Sequence, residues 1–307
     1  MCSVTGGWQS GAVPPMTMHE GEVHTDADLV ARLLGEQIPH LARLPISPVE
    51  SSGTVNAIYR VGDSLYARLP RLAAWAQDLE NECRWLPRLA RHLSLTVPEP
   101  VATGHPSAGY PFAWAIYRWI PGDPYAHDRV DDEPQAAVDL ARFILELRGM
   151  DPAVGSRPAG RRPLSELARS TREAVARSEH AIDPVRALDA WEHALEAPAW
   201  DGDPVWIHSD LLPPNLLVRD GRLRAVIDFG GVGVGDPAAD IVPAWSVFGA
   251  AGRSAFRQAL DVDDGTWQRA RGYALHQAAM IIPYYRETKP AFAALAVRTV
   301  EQVLADG

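Results

Sequence analysis

A chain of 307 residues, 47% of them hydrophobic, is long enough to form more than one buried core, and we expect two lobes or domains. Its net charge of −10 argues against binding to nucleic acid or to anionic membranes, because both select basic surfaces. No run is apolar enough to span a membrane. The two cysteines, Cys2 and Cys83, are too few for a disulfide framework, so we expect a protein of the reducing cytoplasm.

The N-terminal part begins with a segment that carries no structural pattern. Residues 1–20 lack the basic start and apolar centre of a signal peptide, and we expect a flexible tail. Hydroxyl and acidic residues at Thr25–Asp28 form a capping signal that predicts a helix through about Ile38. Three strands are predicted next, ending near Glu50, spanning Val55–Val61 and spanning Ser64–Leu69.

A loop of small residues, Ser51, Ser52, Gly53 and Thr54, joins the first two of these strands. Such a loop brings backbone N–H groups and hydroxyls close to a bound phosphate, because small side chains leave the backbone accessible. A plain hairpin connection is the alternative, since small polar residues are common between strands. The loop precedes the strand that carries Arg68, and this order favours a phosphate site.

The rest of the chain contains a few strands and many helices. A helix is predicted over Ala73–Leu93, followed by two strand candidates and a Pro-Gly break at residues 121–122. A connector rich in Gly, Pro and Arg occupies Pro152–Pro163. Further helices are predicted over Glu133–Leu147, Leu164–Ser178, Pro184–Glu196, Ala239–Phe248, Arg253–Leu260, Thr266–Ile281 and Ala291–Leu304.

The segment Val205–Gly231 places several polar side chains in one short unit. An apolar run ends at His208, Asp210 follows two residues later, and Asn215 comes five residues after that. The dipeptide Asp220-Gly221 then predicts a hairpin whose paired positions sum to 441, so that Asn215 lies opposite Val226. Asp228 follows on the same face of the hairpin, and diagonal neighbours of this kind lie about 7–8 Å apart.

These residue types are the ones that phosphoryl transfer requires. The protein contributes mainly positioning and neutralisation of charge, because the reaction involves little covalent chemistry by the enzyme. Oxygen ligands such as those of Asn215 and Asp228 are the ones that Mg²⁺ prefers, with water and phosphate filling its other positions. Asp210 is placed to accept a hydrogen bond or a proton from an acceptor hydroxyl.

At these residues the chain resembles the aminoglycoside phosphotransferase family, which has the bilobal protein-kinase-like fold. His208-Ser209-Asp210 with Asn215 is similar to the catalytic loop of that family, and Asp228-Phe229-Gly230 is similar to its metal-binding segment. The resemblance implies Asp210 as the catalytic residue and Asn215 and Asp228 as Mg²⁺ ligands. It implies that His208 supports the loop, and that two later aspartates, Asp236 and Asp240, organise the local structure.

The same resemblance implies further nucleotide-binding residues. Arg68 stands where the family usually has a lysine that contacts the α- and β-phosphates, and Glu82 stands where a helix glutamate pairs with that cation. Arg60 and Arg71 are alternatives for the phosphate-binding cation. The backbone near Tyr117–Trp119 corresponds to the hinge that reads the base. Ser209, Leu212 and Pro214 depart from the family pattern, where Gly, His and Gly are common, and these departures leave the substrate open.

The fold that the resemblance implies is α+β, with a small antiparallel-sheet N-lobe over residues 21–120 and a larger, mainly helical C-lobe over residues 121–307. Its implied function is transfer of the γ-phosphate of ATP or GTP, with Mg²⁺, to a hydroxyl of a small molecule such as an aminoglycoside. We expect a monomer or homodimer. Candidate acceptor contacts are Asp201, Asp203, His276, Tyr284, Tyr285, Arg286 and Glu287.

Several alternatives stay open at this point. The acceptor could be a macrolide, a nucleoside or peptide antibiotic, or a metabolite, and an apolar acceptor pocket would favour a macrolide or nucleoside over an aminoglycoside. The exchange of lysine for Arg68 keeps a non-catalytic nucleotide-binding protein as a second hypothesis. A hydrolase using His208 and Ser209 is disfavoured because the G-x-S-x-G elbow is missing. The glycines after Asp228 do not open a helix as a dinucleotide-binding motif requires, and we expect them to allow tight backbone turns instead.

Overall fold

The computed structural model describes residues 22–49, 56–107, 109–152 and 156–306. The tail predicted for residues 1–20 and the loop Ser51–Thr54 lie outside the described residues. The fold is α+β and bilobal, as predicted: a small antiparallel sheet forms one lobe and helices form most of the other.

The N-terminal lobe follows the predicted order of elements. Its helices and strands are α1 (Ala27–Gln37), β1 (Ile46–Pro48), β2 (Asn56–Val61), β3 (Leu65–Pro70), α2 (Ala73–Leu89), β4 (Pro100–Gly104) and β5 (Trp114–Arg118). The five strands form one antiparallel sheet in the order β1-β2-β3-β5-β4. Asp26 caps α1 by accepting a hydrogen bond from the Leu29 N–H at 2.7 Å. This places β3, with Arg68, at the centre of the sheet.

The C-terminal lobe consists mainly of helices around two short strand pairs. Its elements are β6 (Asp123–Pro124), α3 (Glu133–Arg148), α4 (Leu164–Arg177), α5 (Pro184–Leu195), β7 (Val205–Ile207), β8 (Leu216–Arg219), β9 (Arg222–Val226), β10 (Gly233–Gly235), α6 (Pro243–Ser246), α7 (Ala250–Leu260), α8 (Asp264–Tyr285) and α9 (Pro290–Ala305). Among the described residues, none of the helices has the length and apolar character needed to cross a membrane.

The prediction of one helix over Ala239–Phe248 is wrong. A 3₁₀ turn over Pro237–Ile241 is followed by the four-residue helix α6 instead. Pro243 causes the break, because it has no N–H to continue a helical ladder and its ring clashes with the carbonyl of the fourth preceding residue.

The buried residues form two hydrophobic clusters. One lies between α1 and the N-terminal sheet and includes Leu33, Leu34 and Ile116. The other fills the C-terminal lobe and also takes in the buried face of α2, where Trp85 packs edge-on against Trp206 with ring centroids 4.8 Å apart. Because α2 packs into the larger cluster, a helix of the N-terminal sheet lobe is fixed against the elements that carry the catalytic loop.

The β8–β9 hairpin forms as predicted at its turn but not at its base. Asp220 and Gly221 both have positive φ (52° and 69°), and Arg219 pairs with Arg222. A β-bulge at Arg224 then shifts the register, so that Val226 pairs with Leu216 rather than with Asn215. The Arg224 carbonyl accepts a hydrogen bond from the Thr96 N–H at 3.0 Å, which explains the bulge.

Glycines in β10 allow another segment to approach closely. The Ala159 N–H donates to the Val234 carbonyl at 2.8 Å, and the Val234 N–H donates to the Arg157 carbonyl at 2.9 Å. A Cβ at Gly235 would overlap the Ala159 carbonyl oxygen. These glycines therefore serve close packing of the connector after α3 rather than the tight turns that the sequence suggested.

Gly235→Ala is expected to lower the free energy of unfolding by about 1–3 kcal/mol, because the connector or β10 must move to make room. The matched control is Gly35→Ala in α1, where a Cβ meets nothing within 4 Å. That variant is expected to stabilise the protein by about 0.5–1 kcal/mol, since alanine is the better helix residue. Urea denaturation of both variants measures the difference, and equal effects would contradict the packing argument.

Candidate active site

The catalytic loop begins where β7 ends, and a buried carboxylate fixes its backbone. Asp240 is fully buried and accepts hydrogen bonds from the N–H groups of His208 and Ser209 at 2.8 and 2.7 Å. Ser209 has φ +71°, a conformation that glycine adopts more easily than serine. This explains why glycine would suit the position, and the Ser209 hydroxyl compensates by donating to the Gly231 carbonyl at 3.1 Å.

His208 links the catalytic loop to the segment that carries Asp228. Its Nδ1 accepts a hydrogen bond from the Asp210 N–H at 3.2 Å. The proton therefore lies on Nε2, which donates to the Ile227 carbonyl at 3.1 Å. The ring also packs edge-on against Phe229, with centroids 4.6 Å apart. His208 is buried and serves as a support, consistent with the role that the sequence suggested.

The Asp210 carboxylate is held from two sides. Asn215 Nδ2 donates to Asp210 Oδ2 at 2.9 Å and to the Asp210 carbonyl at 2.8 Å, and Gln277 Nε2 lies 3.4 Å from Oδ1. Burial raises the pKa of the Asp210 carboxyl, and the nearby Asp228 carboxylate raises it further. A carboxylate with a raised pKa is a better proton acceptor for a hydroxyl.

Asp228 lies beside Asp210 with a left-handed backbone, at φ +67°. Its Oδ1 accepts a hydrogen bond from Arg68 Nη2 at 2.6 Å. Burial raises the pKa of the Asp228 carboxyl, but the Arg68 guanidinium outweighs this effect and holds that pKa below its ordinary value. The two neighbouring carboxyls thus have pKa values shifted in opposite directions, an arrangement typical of sites that separate a base from a fixed anion.

Asn215 and Asp228 fit a magnesium ion by the chemistry of their oxygens. The Asn215 amide nitrogen is used by Asp210, which leaves its oxygen available, and Asp228 has a second carboxylate oxygen besides the one on Arg68. Within the described residues no group of three or more His, Cys, Asp and Glu is arranged to hold a metal. One carboxylate and one amide oxygen, completed by water and phosphate, match the usual coordination of Mg²⁺ rather than a site built from protein ligands alone.

Arg68 is the centre of a buried ionic network. Its Nη1 donates to both carboxylate oxygens of Glu82, at 2.9 and 2.7 Å, and Glu82 has no solvent exposure. The Asn56 side-chain oxygen, in the amide orientation that satisfies both groups, accepts from Arg68 Nη2 and Nε at 2.9 and 3.0 Å. The forked guanidinium contacts Glu82, Asp228 and Asn56 together, which an ammonium group has too few directed donors to do in the same geometry.

Helix α2 holds the Asp228 segment through three side chains on one face. Glu82 accepts a hydrogen bond from the Phe229 N–H at 2.7 Å, and Asn81 donates to the Val232 carbonyl at 2.9 Å. Asp78 pairs with Arg157 at 2.9 Å, and Arg157 also donates to the Gly230 carbonyl. These contacts fix the Asp228 segment to the N-terminal lobe.

Arg68→Met is expected to lower the free energy of unfolding by about 3–5 kcal/mol, because it leaves the fully buried Glu82 carboxylate without its cation. The double variant with Arg68→Met and Glu82→Gln is expected to lose about 1–3 kcal/mol less than the sum of the two single losses, because the two groups are coupled. Denaturant titration of the single and double variants measures this coupling. The control is Arg118→Met, which breaks an exposed pair with Glu99 and is expected to cost at most about 1 kcal/mol. Strictly additive effects of Arg68→Met and Glu82→Gln would contradict the network.

A cavity of about 660 Å³ opens in front of these residues. Its wall from the N-terminal lobe and the following segment is formed by Val49, Asn56, Ile58, Tyr66, Arg68, Trp119, Ile120, Gly122 and Pro124. Its catalytic wall is formed by Asp210, Leu212, Pro214, Asn215, Leu217, Ile227 and Asp228. Its remaining wall is formed by Arg161, His276, Gln277, Met280, Ile281, Tyr285 and Phe292. The only acidic side chains among these described residues are Asp210 and Asp228.

The predicted hinge residues differ in their access to this cavity. Trp119 lines it, and Arg60 stacks over the Trp119 ring at 3.9 Å. Tyr117 does not, because it is fully buried and its hydroxyl donates to Glu82 at 2.6 Å. The N–H groups of Arg118 and Trp119 are already bonded to the Glu99 and Ser64 carbonyls. The prediction of Tyr117 as a nucleotide contact is therefore corrected, and within the predicted hinge the N–H groups of Arg118 and Trp119 are already used by the fold.

The alternatives for the phosphate-binding cation lie elsewhere. Arg60 donates to the carbonyls of Gly62 and Asp63, and Arg71 pairs with Glu22 at 3.6 Å. Neither lines the cavity, whereas Arg68 does.

Two of the predicted acceptor contacts, His276 and Tyr285, line the cavity. The others do not: Asp201, Asp203, Tyr284, Arg286 and Glu287 are outside its lining. Five residues of the same wall were not predicted, namely Arg161, Gln277, Met280, Ile281 and Phe292. The spacing of His276, Gln277, Met280 and Ile281 on one face of a helix is a signal that could have found the α8 positions. Arg161, in an irregular connector, gave no periodic signal.

His276 provides a pH-dependent element of the cavity wall. Burial lowers its pKa to about 4, and the nearby cations Arg161 and Arg162 add to the shift. A histidine with a lowered folded-state pKa contributes stability above its unfolded pKa and loses it as the pH falls from about 6.5 to about 4. We expect this contribution to be at most about 3 kcal/mol, reduced by the partial exposure of the ring.

The check is urea denaturation between pH 4 and 7 of His276→Gln, with the exposed His180→Gln as control. We expect the stability of His276→Gln to fall less steeply than that of the unsubstituted protein over this window, and the control to follow the unsubstituted protein. Parallel curves for all three proteins would contradict the shift.

Known proteins resemble this chain in sequence and in fold. The family model described as "Phosphotransferase enzyme family" (APH) matches residues 46–273. The uncharacterized protein YcbJ of Bacillus subtilis (strain 168) is 25% identical over 166 residues, which is 52% of this chain and 51% of YcbJ. The match therefore spans only about half of that curated relative.

Solved structures show the same fold at low sequence identity. The GDP and kanamycin complex of APH(2")-IIia has a TM-score of 0.68 and 19% identity, covering 91% of this chain and 99% of that chain. The macrolide 2'-phosphotransferase MphH from Brachybacterium faecium has a TM-score of 0.58 and 22% identity, covering 90% of this chain and 97% of that chain. Since the family model covers well over half of the sequence, the chain belongs to the APH phosphotransferase enzyme family.

Proposed function

We propose that the protein is a Mg²⁺-dependent O-phosphotransferase that moves the γ-phosphate of ATP or GTP to a hydroxyl of a small molecule, and that this molecule is an antibiotic. The observation that supports this proposal most is the arrangement of Asp210, Asn215 and Asp228 on one wall of a cavity that also contains Arg68. A base, two oxygen ligands and a phosphate-binding cation are the parts that phosphoryl transfer requires.

Each residue has a role that follows from its contacts. Asp210, oriented by Asn215 and Gln277, accepts the hydrogen bond of the acceptor hydroxyl and takes its proton as transfer proceeds. Arg68, held by Glu82, presents positive charge to the nucleotide phosphates. Asn215 and Asp228 would hold Mg²⁺. The ion, when bound, neutralises charge on the phosphates.

The nucleotide proposal draws on solved structures of similar fold. The APH(2")-IIia structure contains GDP and that of APH(2'')-Ib contains ADP. Both nucleotides therefore remain candidates as products here. The presence of Asp210, Asn215 and Asp228 together argues against the non-catalytic alternative, because a protein that only binds nucleotide needs no proton acceptor.

The acceptor proposal rests on the cavity wall that α8 and α9 contribute. Met280, Ile281, Tyr285 and Phe292 make that wall largely apolar, and no described carboxylate joins it beyond the catalytic pair. An aminoglycoside carries several ammonium groups and would find few anions there. The lining therefore favours a macrolide, a nucleoside or another mainly apolar hydroxyl compound over an aminoglycoside as the acceptor.

The test is to incubate the protein with Mg²⁺ and ATP or GTP against aminoglycosides, macrolides, and nucleoside and peptide antibiotics, and to weigh the products by mass spectrometry. We expect one acceptor class to gain the mass of one phosphate. We expect this class to be one of the mainly apolar ones, such as the macrolides or the nucleosides. Asp210→Asn is the matched control and should form product at least about 100-fold more slowly. Nucleotide binding without any product across the panel would point to an untested metabolite as acceptor, and absence of nucleotide binding would contradict the proposed function.

A further inference from the structure

Arg161 is a cation of the cavity wall that has no hydrogen-bond or ion-pair partner among the described residues. Its Nε is buried without a hydrogen-bond partner, and the side chain lines the cavity. No hydrogen bond or ion pair joins it to another described residue. Arg68, another cation of the cavity lining, is by contrast bonded through both Nη atoms and Nε. Arg161 as a whole is half-buried, but a buried guanidinium nitrogen without an acceptor lowers stability unless a ligand supplies one. The position is therefore typical of a binding residue.

The fold places Arg161 with little freedom. The connector before it is fixed to β10 by hydrogen bonds at Ala159 and Val234, and it packs where the β10 glycines leave room. Gly160 then has φ +86°, and a Cβ there would come within 2.8 Å of Ile207 Cδ1. A side chain other than hydrogen at residue 160 would therefore move the connector. These contacts determine where the Arg161 guanidinium enters the cavity.

The surroundings of Arg161 belong to the acceptor side. Burial lowers the pKa of Arg161 while Asp210 raises it, and Arg161 in turn lowers the pKa of His276. Arg161, Asp210 and His276 line the same cavity, so the guanidinium shares that space with the Asp210 carboxylate and with α8. Arg68, Glu82 and Asn56, which form the nucleotide side, are not among the groups that affect it.

His276 adds a hydrogen-bond acceptor beside this cation. The Thr171 hydroxyl donates to the Leu167 carbonyl at 2.8 Å, so its oxygen accepts from His276 Nδ1 at 2.8 Å. The neutral ring therefore carries its proton on Nδ1 and leaves Nε2 unprotonated. No described residue bonds to Nε2. A ligand that meets both groups would carry an anionic oxygen for Arg161 and an N–H or O–H for His276.

We propose that Arg161 binds an anionic oxygen, and specifically a carboxylate, of the acceptor. This inference rests on the proposed function and narrows its substrate class to hydroxylated, mainly apolar molecules that carry an acidic group. The apolar wall of α8 and α9 contacts the body of the molecule, Asp210 receives its hydroxyl, and Arg161 receives its carboxylate. Polycationic acceptors are disfavoured, because their ammonium groups would lie beside the guanidinium.

The test uses a matched pair of probes that differ only in charge, 4-(hydroxymethyl)benzoate and 4-(hydroxymethyl)benzamide. Their affinities for the full-length protein are measured by ligand-observed NMR titration, with and without Mg²⁺ and ADP or GDP. We expect the carboxylate to bind about tenfold or more tightly than the amide, as hydrogen bonds to a charged group allow. Arg161→Gln should bring this ratio close to one and leave amide binding unchanged. The control is Arg162→Gln, at the exposed neighbouring arginine, which should leave the ratio of carboxylate to amide affinity unchanged.

Two results would overturn the proposal. One is an equal ratio in the unsubstituted protein and in Arg161→Gln, with both proteins folded by thermal denaturation. The other is that Arg161→Gln weakens the binding of ATP or GTP about tenfold more than that of ADP or GDP, while the ratio of the two probe affinities stays unchanged. This result would assign Arg161 to the γ-phosphate. Probe binding needs no transfer. A protein that binds no nucleotide but shows the Arg161-dependent ratio would contradict the proposed function and leave the carboxylate site standing.

Discussion

Asp228→Ala is expected to abolish phosphoryl transfer and to remove the Mg²⁺ dependence of nucleotide binding. Asp228 offers a carboxylate oxygen to the ion and also anchors one end of the Arg68 guanidinium at 2.6 Å. Loss of such a charged group is expected to reduce kcat by at least about 10²–10³-fold. Calorimetric titration of ADP or GDP with and without Mg²⁺ measures the binding effect, and steady-state kinetics measures the rate.

The control for this prediction is Asp189→Ala, at an exposed aspartate of α5. It removes the same charge from the surface and is expected to leave kcat and nucleotide affinity unchanged. Arg68 keeps its contacts to Glu82 and Asn56 in Asp228→Ala, so we expect the variant to fold. Full activity of Asp228→Ala, or nucleotide binding that still responds to Mg²⁺, would contradict the assignment of the metal ligand.

Asp210→Asn is expected to lower kcat by about 10²–10⁴-fold, the usual contribution of a positioned proton acceptor. The affinity for nucleotide should change little, because Asp210 is held by Asn215 and Gln277 rather than by the Arg68 network. Steady-state kinetics and nucleotide titration separate the two effects. A variant that retained its kcat would show that Asp210 is not the proton acceptor.

Asp210→Asn is expected to lower activity but not stability. The folded-state pKa of Asp210 is raised, so the stability that this group contributes is present below its unfolded pKa and is lost as the pH rises through the folded value. At pH 7 the ionised carboxylate therefore destabilises the fold. We expect Asp210→Asn to be at least as stable as the unsubstituted protein at pH 7 in urea denaturation, and less active. A large loss of stability would contradict the pKa shift.

The parts of this site that could be predicted are those whose residues lie close together in the sequence. Asp210, Asn215 and Asp228 occupy one short segment, and their types and spacing predicted that they lie together. All three line the cavity, whereas His208 is buried and bonded to the loop. The pairing of Arg68 with Glu82 also followed from the sequence by resemblance, and the structure confirms it at 2.7 Å. The spacing between a strand cation and a helix carboxylate is set locally by the β3–α2 connection.

Contacts between distant segments could not be predicted in the same way. The hairpin register was wrong at Asn215 because the Arg224 carbonyl bonds to Thr96, which is far away in the sequence. Tyr117 was taken for a nucleotide contact because the strand pattern does not show which face packs against Glu82. Arg161 reaches the cavity only because its connector docks on β10. Each error comes from a tertiary contact that leaves no mark on local periodicity.

The measurement that tests the central claim most directly is ³¹P NMR of the protein with Mg²⁺, ATP or GTP, and an acceptor identified by the mass screen. The account predicts that the γ-phosphorus resonance is lost and that a phosphomonoester resonance of the acceptor grows at the same rate, with neither change in Asp228→Ala. Release of inorganic phosphate without any phosphomonoester, or equal transfer by Asp228→Ala, would contradict it.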